Sequence, residues 1–200
     1  MCCDKVFLVS YKKNKLWNEV SHYSKKRFEK MGFRVEMIEG YNLKEHPEIK
    51  RNRLVYINFL KTALPKSKQF LDKNKKYKGV FIAEDDSWIT VDLNELKKIV
   101  KLKRSGNVKW IGYQKKLKTG NTFFYVGAQL LWIPREKIDK LKNIMEEKTP
   151  QHLNGFFSKN INEIGIDIVK RRGLVEELKH TSLTTGKVRP GKILNNVNFS

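Results

Sequence analysis

The sequence predicts an α/β fold, with a central mixed, mostly parallel sheet flanked by helices. Residues 6–10, 34–38 and 80–83 read as strands, and the first and third are the continuous apolar runs of a sheet buried on both faces. Between them, residues 16–31 and 53–64 carry apolar side chains at three- and four-residue steps, the helical spacing. Strand and helix therefore alternate, the order that builds a parallel sheet covered by helices.

Each element follows from local signals. The run Val6-Phe7-Leu8-Val9 ends in the small residue Ser10. The first helix lines up Trp17, Val20, Tyr23 or Ser24, Arg27 and Phe28, and Gly32 stops it. The second strand closes at Glu39-Gly40, and a loop containing Pro47 follows. The second helix carries Leu54, Ile57, Leu60 and Lys61 along one side and should end before Pro65, with a further short helix over 67–74. Asp92 is an N-cap for a helix over 93–102, with Glu95 completing a capping box. Residues 108–113, 123–126 and 129–133 read as strands, the adjacent ones suiting an antiparallel edge. Pro134 opens a helix through Met145. A short helix after Pro150, the segment 164–169 and a polar tail complete the chain. No repeat, low-complexity block or interdomain linker interrupts it, so residues 1–200 read as one domain. The abrupt end at Phe199-Ser200 points to the N-terminal part of a longer protein.

Composition narrows the function classes. Hydrophobic residues at 40% and charged residues at 32% of 200 exclude a disordered chain. No apolar stretch approaches the roughly 20 residues that span a bilayer. The N-terminus lacks a signal-peptide pattern, and Cys2 and Cys3 are adjacent, so a reducing, cytoplasmic compartment is expected. The formal charge of +21 suits either a lysine-rich solvated surface or a polyanionic partner. Its lysines are scattered over most helices, which weakens a nucleic-acid reading.

Against that basic background, Glu84-Asp85-Asp86 follow the apolar run Val80-Phe81-Ile82-Ala83. Like charges at a buried strand end are costly unless a cation or hydrogen-bond donors absorb them. A solvated turn would also place acids here, but Ser87-Trp88-Ile89-Thr90 makes the second flank half-buried too. On an extended backbone Glu84 and Asp86 face one way and Asp85 the other. Hard carboxylate oxygens suit Mn²⁺ or Mg²⁺, completed by water and substrate phosphates. In open α/β sheets ligands bind beyond the carboxyl ends of the strands, where Ser10, Glu39-Gly40 and these acids all fall.

The run Phe81-Ile82-Ala83-Glu84-Asp85-Asp86 resembles the strand-plus-acid motif of GT-A-fold glycosyltransferases, and especially the family 25 enzymes of lipopolysaccharide type. Val6-Phe7-Leu8-Val9-Ser10 is similar to that family's first nucleotide-binding strand. Val126-Gly127-Ala128-Gln129-Leu130-Leu131-Trp132-Ile133 is similar to its small-residue strand before a helix, and His180-Thr181-Ser182 to its C-terminal segment. Where family members carry an apolar residue followed by Asp, this chain has Leu153-Asn154, which leaves the catalytic base open.

The resemblance implies a single GT-A-like domain that transfers a sugar from a UDP-sugar to a glycan or glycoprotein hydroxyl, with inversion. The enzyme would be bacterial, or encoded by a large DNA virus and active in host cytoplasm. Asp86 would bind the metal as a surface-facing ligand, with Glu84 and His180 as further ligands. Glu84 would also reach ribose hydroxyls, and Asp85 a donor-sugar hydroxyl. Val9, Ser10, Tyr11 and Arg53 would contact the nucleotide, and Gly127-Ala128 would let backbone approach the sugar. Arg53 reads equally as a solvated basic helix end. Asp85, Asp167, Glu163 and His152 are the candidate bases, and Lys187, Arg189 and Lys192 would close over the diphosphate. Two rivals remain from other classes: a Mg²⁺-dependent nuclease, and a nucleic-acid-binding module without catalysis.

Overall fold

Six strands form the central sheet in the order β2-β1-β3-β8-β5-β9 in a computed structural model. It describes residues 4–10, 15–41, 46–50, 53–101, 106–111, 115–119, 122–126, 130–169, 171 and 173–177. The strands are β1 (Lys5–Ser10), β2 (Arg34–Glu39), β3 (Gly79–Glu84), β5 (Val108–Ile111), β8 (Leu130–Pro134) and β9 (Ile166–Ile168). β1 pairs in parallel with β2 and β3, and β5 pairs in parallel with β9. The antiparallel strand is β8, and it lies inside the sheet between β3 and β5. An antiparallel edge was the expectation. All five β8 residues are buried, so that strand has the composition of an interior position.

Two smaller pairs complete the strands. β4 (Ser87–Ile89) pairs antiparallel with β10 (Val175–Glu177), and β6 (Lys115–Thr119) with β7 (Thr122–Val126). β6 and β10 have no clear apolar alternation and were not expected.

Helices cover both faces. On one face α1 (Lys15–Lys30) and α4 (Leu93–Val100) enclose a core with Val6, Leu8, Phe28, Phe33, Phe81 and Leu96. Asp92 caps α4, its side chain accepting from Asn94 N at 2.8 Å and Glu95 N at 2.9 Å. On the other face lie α2 (Leu54–Asn58), α3 (Leu64–Lys73), α5 (Ile138–Glu147), α6 (Leu153–Lys159) and α7 (Ile161–Ile164). They pack on Phe7, Val9, Ile82, Trp110 and Leu131.

The helix expected to stop before Pro65 continues to Lys73 through a π-helical turn, Phe59–Ala63. Proline removes an N–H and clashes with a carbonyl four residues back. A π turn spaces its bonds at i→i+5, and so accommodates a residue that cannot join the regular ladder. Asn58, fully buried just ahead of this turn, bonds both backbone groups of Tyr41: it accepts from Tyr41 N at 2.5 Å and donates to Tyr41 O at 3.1 Å. Gly40 makes room for it, since a Cβ there would lie 2.8 Å from Asn58 Oδ1. Among the described residues no helix is long and apolar enough to cross a membrane.

Candidate functional site

The parallel strands β1, β2 and β3 end side by side. Ser10 pairs with Glu39, Val9 pairs with Glu84, and Gly40 N donates to Ser10 O at 2.9 Å. The acids therefore sit at the carboxyl edge of the sheet, where α/β folds bind ligands. Residues 85 and 86 form a turn between β3 and β4.

Glu84 ends β3, and the turn that follows carries Asp85 away to the α1 side. Glu84 is half-buried and lines an apolar recess with Val9, Val55, Phe59, Ile82, Ala83, Leu131 and Leu153. Phe59 belongs to the π-helical turn, a device frequent at functional sites. Asp85 points to the α1 face and is fully buried. Ser21 Oγ donates to Asp85 Oδ2, and Ser10 Oγ lies 3.1 Å from Ser21 Oγ. Asp85 Oδ1 is buried without a hydrogen-bond partner. Burial pushes the Asp85 carboxyl up to about 7, and the Asp86 charge pushes the same way, while the Ser21 and Ser10 hydroxyls oppose them.

Asp86 is also buried, not surface-facing as expected, because the turn folds back against α1 through β4. Among the described residues no three His, Cys, Asp or Glu side chains could together hold a metal ion. Glu84 and Asp86 would thus supply one or two carboxylates, the share that Mn²⁺ or Mg²⁺ takes from protein when water and phosphates complete the shell. A buried carboxylate oxygen without a partner, Asp85 Oδ1, marks the same turn as short of positive charge or donors.

The candidate bases separate cleanly. Asp167 lies on β9, level with Lys109, Trp132 and Phe81 across the sheet, about 14 Å to the side of β3. Its carboxylate is taken by buried Lys109 and by Asn107 Nδ2 at 3.0 Å. Glu163 is on α7, which leads into the amino end of β9, and pairs with Lys148 at 3.4 Å. Neither reaches the carboxyl edge, because Asp167 is level with Phe81, three residues before Glu84, and Glu163 precedes β9. Asp85, the third, is shut away from solvent by α1. His152 is exposed at the head of α6, beside Leu153 of the recess. Asn154 follows, its Oδ1 buried without a partner.

Arg53 is half-buried at the N-cap of α2, near Val55 of the same recess. Tyr11, Gly127, Ala128, His180, Lys187, Arg189 and Lys192 lie outside the described residues. Sequence reading missed Ser21. Its signal was a small polar residue beside the buried stripe of Val20, Ser24 and Phe28.

No protein-family model and no curated protein sequence matches the chain. Among solved structures it is similar to the crystal structure of a glycosyltransferase involved in the glycosylation of the major capsid of PBCV-1. The TM-score is 0.55 at 8% sequence identity, over 84% of this chain and 81% of that one. At that identity the likeness concerns the fold: this chain has a glycosyltransferase-like α/β fold.

Proposed function

We propose that this chain is a metal-dependent glycosyltransferase that moves a sugar from a UDP-sugar to an acceptor hydroxyl, with inversion. The observation that carries the reading is the acid turn at the carboxyl end of β3, in a fold shared with a glycosyltransferase. Glu84 and Asp86 would hold Mn²⁺ or Mg²⁺, which when bound neutralises charge on the departing nucleoside diphosphate. Val9, Ser10 and Arg53 border the edge where the nucleotide would lie. His152 would take the acceptor proton, being the exposed candidate base beside the recess that Glu84 lines.

Strand β10 ends beside the acid turn. β10 pairs with β4 so that Glu177 lies opposite Ser87, the residue after Asp86. His180 follows three residues later in the sequence, which supports its role as a further ligand. Lys187, Arg189 and Lys192 would then close over the diphosphate.

Calorimetric titration of UDP, GDP and CMP, with and without Mn²⁺, tests the reading. UDP should bind only with Mn²⁺, and Asp86→Ala should abolish that binding while circular dichroism shows the fold retained. Equal or tighter binding of GDP refutes the uridine assignment, and unchanged binding by Asp86→Ala refutes the metal site.

A further inference from the structure

Helix α1 holds the segment after β3 at three successive points. Ser21 Oγ donates to the Asp85 carboxylate, Ser24 Oγ to Ser87 O at 2.6 Å, and Arg27 Nε to Ile89 O at 2.7 Å. The donors are spaced by three along the helix and the acceptors by two along the turn and β4, so one stripe of α1 follows the extended chain. The Arg27 guanidinium also stacks over Trp88, 4.9 Å from the ring centre. Among the described residues, β4 lies outside the central sheet and pairs with the short strand β10.

We infer that Ser21 is a positioning residue for the acid turn, and that α1 sets the geometry in which Glu84 and Asp86 meet a ligand. Asp85 is the anchor. It lies between two other acids, and Ser21 donates to its Oδ2 from helix α1. The Ser10 hydroxyl stands 3.1 Å from that of Ser21 and also acts on the Asp85 carboxyl, so the three side chains form one buried polar cluster. The hydroxyl chain runs from the end of β1, through α1, to the end of β3. It ties together the two strand ends that border the proposed nucleotide site. Asp85 thereby acts through its neighbours rather than by touching substrate. A buried turn held in one geometry is what a site of carboxylates needs, since the ligand then does not have to order it.

This inference rests on the glycosyltransferase reading only for the identity of the ligand. Hydrogen exchange of the ligand-free chain tests the positioning itself. Ser21→Ala should speed exchange over residues 85–89 by about tenfold, the loss of one buried hydrogen bond, with β5 and β8 unchanged. Ser21→Thr keeps the hydroxyl and should restore the parent rate. In calorimetry, Ser21→Ala should weaken Mn²⁺-dependent UDP binding about tenfold, and Ser21→Thr should bind like the parent. Parent-like exchange in Ser21→Ala, or equal impairment in both variants, overturns the inference. A parent chain that binds no UDP with Mn²⁺ overturns the glycosyltransferase reading instead, because the exchange measurement contains no ligand.

Discussion

Asp85 and Asp167 show how differently two carboxylates of one chain are used. Asp85 has a folded-state pKa raised to about 7, chiefly by burial. The folded protein thus holds a proton that the unfolded chain releases at lower pH. The stability this contributes is fully present below the unfolded value of 3.8 and is lost as pH rises through about 7. Urea unfolding across that window should show stability falling with pH, and Asp85→Asn should remove a slope of about 1.4 kcal/mol per pH unit. An unchanged slope would mean that Asp85 does not titrate there. Asp167, by contrast, neutralises buried Lys109. Asp167→Ala should destabilise the fold by about 1–2 kcal/mol, because it removes the half-exposed carboxylate that pairs with buried Lys109. His152→Ala should leave the melting temperature nearly unchanged and lower kcat by roughly a hundredfold or more. The reverse pattern would exchange their roles.

At the scale of elements, the carboxyl edge is held by side chains reaching back to the main chain. Asn58 occupies both polar groups of Tyr41, and Gly40 leaves it the space. Asn58→Ala should cost about 2 kcal/mol by stranding the Tyr41 amide and carbonyl. Gly40→Ala should also destabilise, but less when Asn58 is already Ala, since the clash is with that side chain. A double-mutant cycle by thermal unfolding should therefore give a coupling of about 1 kcal/mol, and additive effects would exclude the contact. These elements were only partly legible. The period of residues 53–64 announced a helix, and Pro65 announced its end. The π turn that carries the helix through Pro65 depends on packing against β1 and β2, which no local pattern contains.

For the whole molecule the dominant quantity is the charge of +21. Described ion pairs such as Lys68–Asp139 and Lys142–Glu146 are largely exposed, so they offset little of the self-repulsion. Raising NaCl from about 0.05 to about 0.5 M should raise the melting temperature, because the screening length shortens from over 10 Å to a few ångströms. A fall would show that attractive pairs outweigh the repulsion.

The sequence by itself determined the alternation of strand and helix, the three strand ends and the acids at the third. Those are local properties: apolar period, run length and turn residues. Tertiary structure decided the rest. Where β8 enters the sheet depends on pairing between distant segments. That Asp167 serves Lys109, that Glu163 lies at the far end, and that His152 stands by the recess follow from sheet register and helix direction. Ser21 was legible only as a small polar residue on a helix. Its role exists because α1, running back along the sheet, brings its hydroxyl to Asp85 across 64 positions of sequence.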